Sequence, residues 1–450
     1  MASASEASSS AAAAREEERT ELAADRRDLV RLALVAIPAG ALTGLLGAAF
    51  RMVLDAAGTW RLDLVRWSST LGAWGVAVPI VVVAACAAIA RALVRIAPVA
   101  GGSGVQHVEA VARGQAEPAP PVVLPVKFIG GSLALGSGLA LGREGPTVQM
   151  GAVVGEALAQ WARLPIEDVR RMSTAVAGAG LGVAFSAPLG GATFAFEEVA
   201  RRFDLRLVVA TLLSGATAAA VAWSLIGNAP DFAVRPPPPP AWHVAVPVLV
   251  FGLLLGLAGV AYNRLVVALL DAADRWPRVP AEARAALVGA LFGLLLWVEP
   301  SLVGGGDAVN QRILDGAVPI ATIGTIAVAR WLLGPVSYAP GVPGGLFAPL
   351  LLVGSAAGAL FASAGNHLVP ALGLDPTAFA IVGMATFFAA VVRAPLTGIV
   401  LIVEMTATTT QVVPMLAAST AAVIAATLLR GEPVYDTLRL RMLSRTTDRR

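Results

Sequence analysis

Arg143 and Glu144 stand side by side in a glycine-rich stretch that has long apolar segments on both sides. An ionisable side chain at the centre of a membrane helix costs roughly 2.5–3.5 kcal/mol on insertion scales, so such residues tend to mark ion or proton paths. Glu144 precedes Gly145, Pro146 and an apolar run, which predicts the first turn of a helix that begins inside the membrane. A carboxylate there competes with an anion for the positive end of the helix dipole. The pattern therefore predicts a gated anion site.

The composition of the chain places it in a membrane. Of its 450 residues, 57% are hydrophobic and only 14% are charged, and the mean hydropathy is +0.75. A soluble protein of this size needs far more polar surface, which leaves a polytopic membrane protein as the fitting class. The net charge of +3 is small, and the basic residues gather at the ends, so nucleic acid binding is not expected. Cys86, the single cysteine, lies in an apolar run and is interpreted as a packing residue.

The two ends of the chain are polar. Residues 1–29 lack the apolar core of a signal peptide and are interpreted as a polar N-terminal tail, with the first span beginning near Leu29. Arginines outnumber acidic residues at the other end, which closes with a short tail over residues 446–450. The arginines are Arg439, Arg441, Arg445, Arg449 and Arg450, against Asp436 and Asp448. The positive-inside rule predicts a cytoplasmic C-terminus. The bias towards Ala, Arg and Gly suggests a bacterial chain, and hence a multi-pass protein of the plasma membrane.

Apolar segments recur along the chain, and several are shorter than the ~20 residues of a full span. They cover residues 29–53, 73–98, 122–141, 146–161, 172–199, 207–226, 243–270, 284–303, 318–338, 346–364, 376–392, 396–407 and 411–429. Glycine and proline interrupt many of them, which predicts broken helices around a site at the membrane midplane. A proline run over residues 236–240, interpreted as a polyproline II linker, separates two halves. We expect a first repeat over about 30–226, a linker over 227–242 and a second repeat over about 243–445.

Three landmarks recur in the same order in the two halves, which predicts an internal duplication. Residues 101–104 align with 304–307, and the Pro-Gly-Gly pattern of 146–155 aligns with 349–358, both at an offset of 203. Residues 187–191 resemble 394–398 at an offset of 207, and in each half a glutamate follows that proline nine positions later. These glutamates are Glu197 and Glu404. If the repeats are inverted, their broken helices converge at the centre of the membrane. On this alignment Phe347 matches Glu144, so one half alone carries the carboxylate.

Four short motifs identify a family. Gly102-Ser-Gly-Val-Gln106, Gly142-Arg-Glu-Gly-Pro146, Gly345-Leu-Phe-Ala-Pro349 and the tyrosine of Gly431-Glu-Pro-Val-Tyr435 follow one another on a duplicated membrane scaffold. In this order they resemble the CLC family of chloride channels and chloride/proton antiporters, over about residues 30–445. The resemblance implies an all-α polytopic membrane protein with an inverted structural repeat and broken, re-entrant helices. It also implies a homodimer in the lipid bilayer that carries chloride and protons and is not an enzyme. Neither a cofactor nor a metal ion is expected.

Donors for a partly dehydrated anion are present in these motifs. Backbone N–H groups at Gly104, Gly145, Leu346 and Phe347 supply partial positive charge at helix ends. Ser103 and Tyr435 add hydroxyl donors, whereas a Lys or Arg in direct contact would hold the anion too tightly for release. Alternative interpretations are an N-cap role for Ser103, an interfacial anchor for Tyr435 and plain packing for Phe347.

Two glutamates have roles implied by the resemblance. Glu144 matches the gating and external proton glutamate, whose carboxylate occupies the anion position until it is protonated. Glu198, the second glutamate of Phe196-Glu-Glu-Val-Ala-Arg-Arg202, matches the internal proton glutamate of antiporter members. The alternatives are a salt bridge between Glu144 and Arg143, and a surface pair of Glu198 with Arg201 or Arg202.

Further positions support or qualify the resemblance. Glu109 and Lys127 lie in matching family positions and are interpreted as a buried pair or as support for the pathway. Arg143 is expected to support the local fold. The family's proline is replaced by Gln106, followed by His107, so the helix entry and the anion selectivity are open to change. His107 is interpreted as a polar helix residue.

The functional hypothesis is a secondary active chloride/proton antiporter with voltage-sensitive anion transport through a gated central site. The alternative is a passive chloride channel of the same family; the presence of both Glu144 and Glu198 favours the antiporter. Ser103 favours chloride over nitrate or fluoride as the main substrate. An intramembrane enzyme would need catalytic groups that the chain lacks, and a cation carrier would need several converging carboxylates.

Overall fold

The computed structural model describes the backbone of residues 2–447 and the side chains of residues 26–445. Within this part the chain forms 17 α-helices and no strand beyond two isolated β-bridges. The end of the predicted basic tail, Asp448 to Arg450, lies outside the described residues.

The first repeat contains eight helices. They are α1 (Ala2–Ser69), α2 (Ala77–Leu93), α3 (Val105–Ala112), α4 (Val123–Ser137), α5 (Glu144–Trp161), α6 (Ile166–Ala184), α7 (Pro188–Phe194) and α8 (Leu205–Ile226). A π-helical turn, Ala195–Ala200, continues α7.

The second repeat contains nine helices. They are α9 (Ala245–Asp274), α10 (Ala281–Val298), α11 (Asp307–Leu314), α12 (Ile320–Tyr338), α13 (Phe347–Leu368), α14 (Pro376–Val392), α15 (Pro395–Thr406), α16 (Val412–Leu428) and α17 (Val434–Thr447).

Within the described part of the chain, seven helical stretches are long and apolar enough to cross a membrane. They are Arg26–Ser69, Gly72–Leu93, Leu205–Ile226, Trp242–Asp274, Ala281–Val298, Ile320–Tyr338 and Phe347–Leu368. Shorter apolar helices include α4, which lies between two of them, and α14 and α15, which follow the last. The predicted broken helices are therefore present, and the segment 172–199 is itself broken between α6 and α7.

The first helix includes the polar N-terminal segment, for which no secondary structure was predicted. We expected a polar tail that gives way to a span near Leu29, but α1 runs without a break from Ala2 to Ser69. Pro38 lies inside it, and the helix continues to Ser69, beyond the predicted end of the apolar segment at residue 53. No glycine–proline signal separates the polar part from the apolar part, and Ala, Glu and Arg all favour a helix.

The repeat is confirmed at the helix starts, with one correction. α5 and α13 begin 203 residues apart, at Glu144 and Phe347, as predicted. The short helices α3 and α11 are instead offset by 202, because their caps are Gly104 (φ 88°) and Gly306 (φ 102°). Glycine takes this left-handed conformation without steric cost, so the cap, and not the flanking sequence, aligns the two helices.

The two repeats cap each other's helices. The Glu197 carboxylate accepts hydrogen bonds from the N–H groups of Leu396 (3.0 Å) and Thr397 (2.6 Å) at the start of α15. The Glu404 carboxylate does the same at the start of α7, with Leu189 at 3.2 Å and Gly190 at 2.7 Å. A carboxylate at a helix N-terminus satisfies free N–H groups and stabilises the dipole. The reciprocity is what a twofold axis between the repeats produces.

The linker between the repeats is bound to the core. Its main chain at Phe232 donates to the carbonyl of Met405 (2.9 Å), and Ala233 exchanges two hydrogen bonds with the Gln311 side chain. The Gln411 amide donates to the carbonyl of Pro238 (3.1 Å). The linker thus joins the repeats and holds the side chain of Asp231 inside the protein, which is 5% exposed.

Candidate anion and proton site

Glu144 occupies the N-terminus of a helix from the other repeat. Its carboxylate Oε1 accepts hydrogen bonds from the backbone N–H groups of Phe347 (2.6 Å) and Ala348 (3.3 Å) at the start of α13. The side chain is fully buried, and Oε2 has no hydrogen-bond partner among the described residues. An acidic side chain on free helix N–H groups stands where an anionic ligand binds.

Three helix starts are tied together by the main chain. Gly102, just before α3, donates to the carbonyl of Val342 (3.1 Å) and accepts from the N–H of Gly344 (3.0 Å). Gly142, just before α5, exchanges two hydrogen bonds of 2.8 Å with Gly345, just before α13. Positive partial charges from α3, α5 and α13 are therefore held at one place by a pre-organised backbone.

Ser103 and Tyr435 bring two hydroxyl groups to this place. Both side chains are fully buried. The two hydroxyls interact with each other, but neither makes a hydrogen bond of normal geometry within the described part of the chain. Leaving a buried polar group unpaired costs about 1–3 kcal/mol, so these two hydroxyls are available to donate to an acceptor. The N-cap of α3 is Gly104, and Tyr435 is buried, so neither an N-cap role for Ser103 nor a surface anchor role for Tyr435 fits.

The backbone donors lie in the same region. A Cβ atom on Gly145 would be 2.6 Å from the Ser103 hydroxyl and 3.0 Å from the Cα of Gly345, so only glycine fits between them. Leu346 is the N-cap of α13 and is fully buried. The Phe347 N–H serves Glu144, while its ring packs edge-on against aromatic neighbours. These are Phe194, Phe388 and Tyr435.

Arg143 forms ion pairs away from Glu144. Its guanidinium contacts Asp231 (3.0 Å) and Asp307 (3.7 Å) and donates to the carbonyl of Ala184 (2.8 Å). Asp231 also pairs with Arg51 at 2.8 Å. Arg143 therefore fastens the start of α5 to the linker and to α11. Asp231 escaped the sequence analysis, because nothing in the linker's composition distinguishes it.

A cavity of about 850 Å³ opens on this side of the site. Its lining includes Gly142, Arg143, Asp307 and Ala348. It reaches the start of α13 from the side of Arg143.

The two adjacent glutamates Glu197 and Glu198 have different surroundings. Glu197 caps α15, whereas Glu198 is 1% exposed and pairs with Arg201 at 3.6 Å. Both lie on the π-helical turn, which shifts the register of successive side chains and is frequent at functional sites. Arg201 contacts Asp436 (2.8 Å), next to Tyr435.

Glu109 is the neighbour of Glu198, and of the two alternatives for Glu109 and Lys127, a buried pair or support for the pathway, the pair is not formed. Glu109 lies against Glu198 and within 3.7 Å of Arg113 and 3.6 Å of Arg439. The Lys127 ammonium group instead donates to the carbonyls of Ala100 (3.0 Å) and Gly102 (2.8 Å). These carbonyls lie in the segment that leads into α3. Lys127 therefore stabilises the backbone that precedes the first helix of the candidate site.

The replacement of the family's proline leaves the start of α3 intact. Gln106 is the second residue of the helix, and the helix is capped by Gly104 as its counterpart α11 is by Gly306. The side-chain oxygen of Gln106 is buried and has no partner in the described part. His107 is a buried residue of the same helix. Gln106 therefore adds a polar side chain beside the site, while α3 still begins at its glycine cap.

Comparison with known proteins places this geometry in a family. The family model described as "Voltage gated chloride channel" matches residues 85–427. The chain belongs to this voltage-gated chloride channel (CLC) family. A relative from Vibrio parahaemolyticus serotype O3:K6, named H(+)/Cl(-) exchange transporter ClcA, is 36% identical over 424 residues, covering 91% of this chain and 89% of its own. One of the same name from Vibrio cholerae serotype O1 (strain M66-2) is 37% identical over 414 residues, covering 90% and 88%.

Solved CLC structures share the fold. A slow cyanobacterial Cl−/H+ antiporter superposes with a TM-score of 0.87 at 31% identity, covering 92% of this chain and 98% of its own. A CLC-type fluoride/proton antiporter superposes with a TM-score of 0.75 at 20% identity, covering 90% and 97%, which bears on the fold alone.

The unpaired hydroxyls of this CLC chain generate a binding prediction. Ser103→Ala combined with Tyr435→Phe removes two donors to chloride and keeps the ring that packs on Phe347. Charge-assisted hydrogen bonds contribute roughly 1.5–3 kcal/mol, so we expect chloride affinity to fall by about tenfold or more. Calorimetric titration of chloride into the purified variant measures the change. Wild-type affinity in the double variant would show that the anion is held elsewhere.

Proposed function

We propose that this protein is a secondary active chloride/proton antiporter. The observation that carries the proposal is the fully buried Glu144 carboxylate, bound to the free N–H groups of α13. The named relatives are H(+)/Cl(-) exchange transporters, and the chain aligns with them over most of its length. A side-chain anion in an anion-binding position links chloride binding to protonation of the same group.

Protonation of Glu144 is the step that exchanges the two ions. The ionised carboxylate accepts from Phe347 and Ala348. A neutral carboxyl is a weaker acceptor, since charge-assisted hydrogen bonds are roughly twice as strong as neutral ones. Chloride then takes the N–H groups, and the protonated side chain moves aside with its proton. Return of the ionised carboxylate displaces the chloride.

Glu198 is proposed as the inner proton acceptor. It is buried beside Glu109, and Arg201 and Asp436 lie between it and solvent, with Arg201 41% exposed. The Tyr435 hydroxyl lies within electrostatic reach of both Glu144 and Glu198. The two carboxyl groups thus flank the anion donors, with Glu198 off the anion path.

The passive chloride channel is less well supported. A channel needs a gate but no second buried acid, whereas this chain buries Glu198 beside Glu109 and pairs it with the partly exposed Arg201. Exchange of a chloride for a proton moves net negative charge in one direction, so we expect the transport to be sensitive to voltage.

We also propose a homodimer in the bacterial plasma membrane, with a cytoplasmic C-terminus. The dimer rests on family membership, and the orientation on the arginines of α17, of which Arg441 and Arg445 contact Asp274 at the end of α9. A single cysteine in place of Arg445, on a Cys86→Ser background, should react with a membrane-impermeant thiol reagent only in inside-out vesicles. Labelling in right-side-out vesicles would contradict the cytoplasmic C-terminus.

Light scattering on the purified protein should give the mass of two chains. The mass of one chain would contradict the homodimer.

Glu144→Gln tests the coupling. Glutamine keeps the shape but carries no charge and takes up no proton, so chloride should pass through liposomes without moving protons. Paired chloride-efflux and pH recordings measure both ions. Proton pumping at the wild-type rate would refute the role of Glu144.

Glu198→Gln separates antiporter from channel, with Glu197→Gln as the matched control. We expect the first to abolish proton transport while chloride still moves, because Glu198 lies off the anion path. The second weakens a helix cap, because glutamine keeps one acceptor oxygen but loses the charge, and it should leave proton coupling in place. Equal effects on proton transport would show that Glu198 has no special role.

A further inference from the structure

Tyr338 is a buried tyrosine that none of the recognised motifs contains. The chain has three tyrosines, and Tyr338 is the last residue of α12, 3% exposed. Its hydroxyl oxygen accepts a hydrogen bond of 3.2 Å from the backbone N–H of Ser103. A residue 235 positions away thus reaches the serine of the anion site.

The hydroxyl proton of Tyr338 has no acceptor among the described residues. A phenol hydroxyl accepts through its lone pairs and donates one proton, and Ser103 uses only the accepting side. The hydroxyls of Ser103 and Tyr435 also make no hydrogen bond of normal geometry in this part of the chain. Tyr338 lies within electrostatic reach of Tyr435. Three buried O–H groups therefore lie in one region, and none of them donates a hydrogen bond of normal geometry to a described residue, whereas buried polar groups are almost always paired.

The backbone around Tyr338 is built to admit its hydroxyl. Gly102 has a left-handed conformation (φ 66°), and a Cβ atom there would lie 2.8 Å from the Tyr338 oxygen. The segment that follows Tyr338 forms the bridge between Gly102 and Pro343. The hydroxyl is thus positioned by the same main-chain contacts that hold the starts of α3 and α13.

We propose that Tyr338 is a third hydroxyl donor to chloride, beside Ser103 and Tyr435. This inference rests on the proposed function and adds a ligand to its anion path. The Ser103 N–H holds the tyrosine oxygen in place, and the tyrosine proton points to the anion. A path lined by three neutral hydroxyls binds a small anion through hydrogen bonds and lets it leave, because no cationic side chain contacts it.

Tyr338→Phe removes the hydroxyl and keeps the ring. Chloride affinity should fall by about tenfold, since one decade corresponds to about 1.4 kcal/mol, the low end for a charge-assisted hydrogen bond. The control is Tyr262→Phe: this tyrosine is also fully buried with an unpaired hydroxyl, but it packs against Trp331 and Phe387. Calorimetric titration of chloride should give wild-type affinity for Tyr262→Phe. Wild-type affinity in Tyr338→Phe would overturn the inference and leave the proposed function intact.

A second measurement uses the wild-type protein, because Tyr338→Phe leaves the Ser103 N–H without its acceptor and risks misfolding. Tyrosine isotopically labelled at Cζ gives three signals, one of which the Tyr262→Phe variant assigns. Chloride titration should shift the signals of Tyr338 and Tyr435 together and leave that of Tyr262 unchanged. A shift of the Tyr435 signal alone would overturn the inference. A wild-type protein that binds no chloride would instead overturn the proposed function.

Discussion

The structure depends on one constraint, which is that a buried negative charge must find donors inside the membrane. Burying an ionised carboxylate without partners is prohibitively costly, and Glu144 meets this requirement with the N–H groups of Phe347 and Ala348 at the start of α13. These donors come from the other repeat, so the contact requires both halves of the duplicated chain. The main-chain bridges at Gly102 and Gly142 keep the donors in position whichever anion occupies them.

Two other glutamates also bind the N-terminus of a helix from the opposite repeat, but they have a different role. Glu197 and Glu404 each cap a helix of the opposite repeat, but they are partly exposed and hold the repeats together. Glu144 is fully buried, near hydroxyls that lack a hydrogen bond within the described residues, and in the proposed mechanism it shares its donors with chloride. Chemically identical carboxylates at helix N-termini thus serve assembly or transport according to their burial and neighbours.

Much of this architecture could be predicted from the sequence. The family, the broken helices and the start of α13 opposite Glu144 follow from glycine–proline spacing and short motifs, which encode local backbone geometry. The short helices α3 and α11 and the polar helix α17 escaped the list of apolar segments, because eight residues or a polar composition give no hydropathy signal. The predicted alignment of α3 with α11 differs from the structure by one residue. The reason is that each helix begins after a left-handed glycine, and the residues around that glycine do not fix the start.

Long-range polar contacts were beyond sequence reasoning. The partners of Arg143, Glu109 and Lys127 depend on side-chain directions in three dimensions, and a pair of the last two was one of two alternatives that the sequence left open. Tyr338 is 235 positions from Ser103, and a tyrosine at the end of an apolar helix has nothing in its surroundings to distinguish it.

The central claim is that chloride and the Glu144 carboxylate compete for the same N–H groups. Calorimetric titration of chloride in buffers of different ionisation enthalpy, at a pH where the carboxylate is ionised, counts the protons taken up as chloride binds. The account predicts uptake approaching one proton per chloride in the wild-type protein and none from this source in Glu144→Gln. Chloride binding without proton uptake in the wild-type protein, or equal uptake in the variant, would contradict it.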